Sequence, residues 1–331
     1  MVVPRPDANV PRPAPVIFFG TPAFAVPTLA ALAEDARFAV CLVVTQPPRP
    51  VGRGREVQRS AVHVAADARG LPVFAPDRLR SPEVVSRLAG ESAALFVVAA
   101  YGKILRLDVL NLPDHGTLNV HASLLPAYRG ASPIAAAILD GVPETGVTIM
   151  LMDIGLDTGP ILAQQGVAIA PDATTASLSA TLAESGAPLL VDTAARWLDR
   201  QIEPEPQDDA AATVTRLLKK EDGAIDWHAP AARLARMERA YSPWPGLFTS
   251  LGGKRLIVHG VTDLLPDRDA PPGTIVSVGQ SGMRVRTGAG DVLVARVQPE
   301  GKGAMTAAAF AAGHPNLVGT RLGDDRARDA Q

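Results

Sequence analysis

The sequence predicts a two-domain α/β protein: an N-terminal domain built on a mostly parallel sheet, then a smaller C-terminal domain of short strands. Three observations predict it. Continuous apolar runs alternate with helical patterns as far as residue 200, as expected of strands buried on both faces by crossover helices. An acidic, proline-bearing stretch, Gln201 to Asp209, then breaks the pattern. Beyond Arg216 the apolar segments become short and alternating, with Gly, Pro and Asp turns between them, which suits a small β-barrel. A chain of 331 residues is long enough for two cores.

Residues 1–14 carry prolines at 4, 6, 11 and 13 and are expected to form a disordered tail, with no apolar segment of the kind a secretion signal needs. Val16 to Phe19 is a buried strand ended by Gly20. Thr21-Pro22 then suits an N-cap and first helical position, with the regular helix from Pro27 to Glu34. The next strand is Ala39 to Thr45. Helices are expected at Ser60 to Arg69, with Gly70 as C-cap, and at Ser81 to Leu88, opened by Ser-Pro. Strands follow at Ala94 to Ala99, Gly116 to Val120 and Val147 to Met152. Further helices are expected at Ala131 to Leu139, Thr175 to Glu184 and Pro188 to Arg200. The order is Rossmann-like, but one glycine follows the first strand where a dinucleotide cradle needs G-x-G-x-x-G. In the second domain a helix is expected at Pro230 to Tyr241 and five strands between Leu247 and Gln298, an OB-like pattern that a purely structural β domain would share.

Bulk properties exclude several classes. Hydrophobic residues are 47% of the chain, yet no uninterrupted run reaches membrane-spanning length, so no membrane partner is expected. A net charge of −2 excludes a generally polycationic nucleic-acid binder while leaving room for a local basic patch. The single Cys41 lies in an apolar run, which fits a buried thiol in a reducing, cytoplasmic setting. The six histidines lack ligand spacing, so no metal is expected. A monomer is the expected state.

Candidate chemistry gathers between Asn119 and Pro160. Asn119 and His121 sit two apart on one strand and so point to one side; a Gly-punctuated loop after the next strand presents Asp157. If both strands end at one sheet edge, an amide donor, an imidazole and a carboxylate converge there. That trio suits acyl transfer through a tetrahedral intermediate. Taken singly, an Asn or His at a strand end is more often a turn residue or a satisfied polar group. The D-T-G of Asp157 to Gly159 has no second copy, so a paired-carboxylate protease is excluded. Between the second strand and its helix, Gln46 to Val57 forms a loop with three prolines, two glycines and Arg49, Arg53 and Arg55. It reads as an ordinary solvated loop or as a set of guanidinium groups for a polyanion.

Asn119, His121, the S-L-L-P run of Ser123 to Pro126, Arg129-Gly130 and Asp157 in G-L-D-T-G together resemble the formyltransferase family that uses 10-formyltetrahydrofolate. The resemblance spans about Val16 to Leu322. It implies that Asn119, His121 and Asp157 are catalytic and that Ser123, Leu124, Leu125 and Pro126 lie beside the folate co-substrate. Ala100, Tyr101, Gly102 and Ile104 are assigned to the same pocket. T-Q-P-x-R-P-x-G-R-G followed by G-L-P-V-F-x-P resembles, more narrowly, the members that formylate methionyl-initiator tRNA. That resemblance implies tRNA contacts at Arg49, Arg53, Arg55, Arg129, Lys219 and Lys220, with Lys254 and Arg255 further along. Formylation of another amine, such as a UDP-amino sugar, is the alternative. Ala23 and Ala135 depart from the family's usual residues. The expected boundaries are a catalytic domain at 15–200, a linker at 201–215, a tRNA-binding domain at 216–322 and a tail at 323–331.

Overall fold

The computed structural model describes residues 13–51, 56–264 and 269–323. The chain divides into two compact units. One runs to Pro133 and adds Pro143–Ile169 and Leu178–Thr215; the other holds Ile134–Val142, Ala170–Ser177 and the chain from Arg216.

In chain order the first stretch holds β1 (Ala14–Gly20), α1 (Val26–Glu34), β2 (Phe38–Val44), β3 (Arg49–Val51), β4 (Glu56–Gln58), α2 (Ala61–Asp67), β5 (Val73–Phe74), α3 (Pro82–Gly90) and β6 (Leu95–Ala99). Then come α4 (Leu107–Leu110), β7 (Thr117–His121), β8 (Arg129–Gly130), α5 (Pro133–Asp140), β9 (Glu144–Leu151), β10 (Ile161–Ala168), α6 (Thr175–Leu198) and β11 (Val214–Thr215). Ser60 and Ser81 cap α2 and α3 as their side-chain oxygens accept from His63 and Val84 N–H. Thr21 is not a cap. Its hydroxyl donates to the Tyr101 carbonyl (2.8 Å), and a 3₁₀ turn at Ala23–Ala25 precedes α1.

The sheet of this unit runs β10-β9-β7-β6-β1-β2-β5. The β7-β6-β1-β2-β5 part is parallel and the last two strands are antiparallel. β6 and β7 are buried along their whole length; this explains the unbroken apolar character of β6, whereas β7 buries Thr117, Asn119 and His121 as well as Leu118 and Val120. β10 has no counterpart among the expected strands; its exposed residues are Gln164, Gln165, Gly166 and Ala168, with no large apolar side chain among them, as suits an edge strand. α6 is one helix where two were expected. Pro188 removes one backbone hydrogen bond, a cost of about 3 kcal/mol. The buried stripe Leu182, Gly186, Leu190, Ala194, Trp197 and Leu198 continues through it, and at roughly 1.5–3 kcal/mol per large side chain outweighs that cost. Cys41 is half-buried rather than buried, with Sγ 3.3 Å from the Val16 carbonyl.

Tyr101 belongs to the core. It is 1% exposed, and its ring meets Phe19 edge-on with centroids 5.6 Å apart. Its hydroxyl is buried and finds no partner among the described residues, and burial pushes its pKa up to about 12. The fold favours the neutral phenol, so this stability is fully present below the unfolded value near 10 and is lost as pH rises from there through about 12. Denaturant unfolding of the wild type should lose roughly 2–3 kcal/mol across that window. Tyr101→Phe should flatten the loss and leave stability at pH 7 unchanged or higher, because an unpaired buried hydroxyl is removed.

The second unit contains α7 (Ala231–Ala240), β12 (Leu247–Leu251), β13 (Lys254–Leu264), β14 (Ile275–Gly279), β15 (Gly282–Arg286), β16 (Asp291–Pro299), β17 (Met305–Thr306) and α8 (Ala307–Ala312). Its sheet is antiparallel, ordered β12-β13-β16-β15-β14 with β17 on β16. Asp291 is fully buried inside it, with Arg284 Nε at 2.5 Å and Arg286 at 3.8 Å.

Candidate active site

β7 delivers Asn119 and His121 to one site, but β9 does not end beside them. β9 runs antiparallel to β7, pairing Thr148 with His121 and Leu151 with Leu118. Its exit therefore lies at the opposite end of β7, and the expectation of two strands ending at one edge is wrong. The trio forms because residues 152–160 travel back. Asp157 takes a left-handed backbone (φ 53°) and its Oδ2 reaches 3.5 Å from His121 Nδ1. Gly159 permits the loop's return, since any Cβ there would run into the Leu151 carbonyl.

His121 is buried, and its Nε2 lies 3.0 Å from the Tyr128 carbonyl. A carbonyl only accepts, so Nε2 carries a hydrogen and Nδ1 faces the carboxylate. Asp157 Oδ2 also accepts from the Gly130 N–H at 2.8 Å. Both ring nitrogens thus have internal partners. Asn119 differs: it is 8% exposed, and its side-chain amide forms no hydrogen bond with any described residue. The site contains one unengaged donor next to an imidazole–carboxylate pair, which equips it for an oxygen that gains negative charge and an atom that sheds a proton.

The turn after β7 is closed upon itself. Ser123 is fully buried and its hydroxyl donates to the Ala127 carbonyl (2.6 Å). The carbonyls of Ser123, Leu124, Leu125 and Pro126 accept from Thr148 Oγ1, Ala127 N, Gln164 Nε2 and Thr213 N respectively. These polar atoms hold the turn together and fix its shape. The expectation for Tyr101 is corrected: its ring is in the core, and its carbonyl accepts from Thr21 and Gln46. Ala100, Gly102 and Ile104 are exposed, Ile104 at 88%. Beside them lies a cleft of about 420 Å³ lined by Arg78, Arg80, Lys103, Ile104 and Arg106, among others.

Of the residues expected at tRNA, Arg49, Lys219 and Lys220 are exposed. Arg49 is close enough to Lys103 to contribute, after desolvation, to lowering that ammonium's pKa. β3 and β4 pair antiparallel as the arms of the basic loop, while Arg53 and Arg55 lie outside the described residues. Arg255 sits 3.5 Å over the Phe248 ring. Arg129 is a correction. It is 6% exposed, and its guanidinium donates to Gln207 Oε1 (3.0 Å) and Asp209 Oδ1 (2.8 Å), so it is committed inside the unit. The stretch expected as a linker supplies these partners: Val214 and Thr215 of β11 pair in parallel with Arg129 and Gly130. Gln207 was invisible to sequence reasoning because a glutamine among prolines and acids reads as linker. No group of residues able to hold a metal ion occurs among the described residues.

A formyl transferase family model matches residues 14–194, and a formyl transferase C-terminal domain model matches residues 217–315. The methionyl-tRNA formyltransferase of Roseiflexus sp. (strain RS-1) is 48% identical over 318 residues, covering 96% of this chain and 97% of that one. That of Myxococcus xanthus (strain DK1622) is 44% identical, covering 92% and 97%. Among solved structures, an N-formyltransferase from Helicobacter canadensis in complex with folinic acid and dTDP-3-aminofucose superposes with a TM-score of 0.61 at 16% identity, covering 86% of this chain and 98% of that one. HypX from Aquifex aeolicus in complex with tetrahydrofolic acid gives 0.60 at 15%, covering 92% of this chain and 48% of that one. These distant structures share the fold; the near relatives and the family models decide membership. The chain belongs to the formyl transferase family, on its methionyl-tRNA formyltransferase branch.

Proposed function

We propose that the protein transfers the formyl group of 10-formyltetrahydrofolate to the α-amino group of methionyl-initiator tRNA. The observation that carries the chemistry is the unengaged Asn119 amide beside the His121–Asp157 pair. The amine nitrogen attacks the formyl carbon, the C–N10 bond breaks, the amine loses a proton and folate N10 gains one. Asn119 donates to the oxygen that becomes anionic. Such a donor is worth on the order of 3 kcal/mol. Asp157 receives the amine proton directly or through water. His121 becomes a second oxyanion donor when its Nε2–H exchanges the Tyr128 carbonyl for the substrate oxygen.

Folate is an aromatic dicarboxylate, and the segment Ala100–Ile104 suits it: Ile104 is an exposed apolar wall, with Arg78, Arg80 and Arg106 close by. Specificity for tRNA rests on the near relatives at 44–48% identity and on the basic loop, against 16% for the solved sugar enzyme. Among the described residues no helix is long and apolar enough to cross a membrane.

The test offers 10-formyltetrahydrofolate with charged initiator tRNA, charged elongator tRNA or a nucleotide amino sugar. Rapid formylation of the sugar with none of the initiator tRNA overturns the proposal. Within it, Arg53→Ala should lower kcat/KM for charged tRNA at least roughly tenfold and leave the folate KM and a minimal aminoacyl fragment unaffected. Lys220→Ala should flatten the dependence of log binding on log salt by about one unit. Steady-state kinetics and binding at several salt concentrations check both.

A further inference from the structure

We propose that Gln207, fifty residues beyond Asp157 in the chain, is a positioning residue for the reaction. The inference rests on the proposed roles of Asp157 and His121. All three hydrogen-bonding functions of the Gln207 side chain point at the loop or its support. Nε2 donates to the carbonyls of Asp157 (2.8 Å) and Gly159 (2.7 Å), one on the trio residue itself and one two residues on. Oε1 accepts from Arg129 Nε (3.0 Å). Gly130, next to Arg129, donates to the Asp157 carboxylate. Gln207 therefore joins the two segments that flank the carboxylate, by main chain on one side and through Arg129 on the other.

The loop needs such a brace. β9 leaves the sheet beside Leu118, so the strand that precedes the loop does not itself aim Asp157 at His121. Asp157 also has φ 53°, a left-handed backbone that Asp tolerates better than most non-glycine residues but that still costs free energy its surroundings must offset. The amide of Gln207 can impose it because both N–H groups are used in a fixed fork on two carbonyls of the same turn. Its own backbone is anchored by the flanking chain, where Glu205 pairs with Ile161 and Thr213 pairs with the Pro126 and Arg129 main chain. Without the fork, Asp157 relaxes toward an ordinary conformation, and its Oδ2 drifts from both Gly130 N–H and His121 Nδ1. A shift of about 1 Å at a reacting group is enough to lower turnover by up to roughly a hundredfold.

Two variants test this in the full-length protein. Gln207→Met keeps the length and removes the donors. Gln207→Glu keeps an oxygen for Arg129 and replaces both donor hydrogens by a second oxygen, so it guards against a packing defect in the first. Each should lower kcat by roughly ten- to a hundredfold, with both KM values within about twofold, and displace the pH profile of kcat. In an Asp157→Asn background the same changes should cost less than about twofold more, because Gln207 acts through Asp157. Hydrogen exchange supplies a readout independent of activity: the Gly130 amide should exchange faster in both variants. Full multiplicative losses in the Asp157→Asn background, or an unchanged Gly130 amide, would overturn the proposal. A wild type that formylates none of the amines offered would instead sink the proposed reaction, and the exchange result would still judge the brace.

Discussion

Asp157→Asn and His121→Ala should each lower kcat for formyl transfer by roughly a hundredfold or more, with the fold intact and the folate affinity within about twofold. The size follows from what each change removes. Asp157→Asn keeps the shape and an oxygen for the Gly130 N–H, but it removes the negative charge 3.5 Å from His121 Nδ1 and the acceptor for the amine proton. His121→Ala removes the group that faces that charge and leaves a buried space against the Tyr128 carbonyl. A general base or a transition-state donor typically contributes a hundredfold or more, and neither group is needed to bind a folate. The kcat and KM values must therefore part: a fall in kcat at constant KM means the interaction is made in the transition state. A folded variant of either kind with near-wild-type turnover would end the assignment. Asn119→Ala belongs to the same experiment and should cost a similar factor, since its amide is the donor with no internal duty.

Asp291→Ala should destabilise the protein by about 3–5 kcal/mol in denaturant unfolding, the largest stability effect expected of a single polar change here. Asp291 is fully buried, and the arginines it serves, Arg284 and Arg286, have side chains only 18% and 13% exposed. Truncating the carboxylate removes the buried charge that lies 2.5 Å from Arg284 Nε. Attraction alone does not make such a pair a stabiliser, because desolvation opposes it. The damage comes from removing one partner. Asp291→Ala combined with Arg284→Met should therefore recover part of the loss, and a double variant no more stable than the single one would refute this account. Asp222 makes a contrast. Its contact with Arg216 is equally short and holds its pKa down to about 2, but Arg216 is 65% exposed, so Asp222→Ala strands no buried charge and should cost less than Asp291→Ala.

Much of the architecture is legible in the residues because burial writes it there. β6 is apolar at every position and β1 from Val16 to Phe19, as strands covered on both faces must be. Ser60, Ser81 and Thr306 mark helix starts because a short side-chain oxygen satisfies a first-turn N–H wherever the helix occurs. Expectation and structure part where a local preference is outweighed by packing. Pro188 suggested a break, but the buried stripe of α6 exceeds the cost of one missing hydrogen bond. β10 escaped because an edge strand needs no apolar alternation on its exposed side.

For the site, the sequence by itself determined that Asn119 and His121 share a strand face, since side-chain direction in a strand depends only on parity. It also determined, through an ordered pattern from Asn119 to Pro160, the family to which Asp157 belongs. Tertiary structure alone decided how Asp157 arrives: by a loop that doubles back from the wrong end of β7, held in a left-handed turn by Gln207 and by Gly130 N–H. It decided as well that Arg129 faces inward, to Gln207 and Asp209, and that the supposed linker pairs with β8. Strand direction within a sheet and hydrogen bonds across fifty or eighty residues are set by which segments pack together, and no spacing along the chain records them.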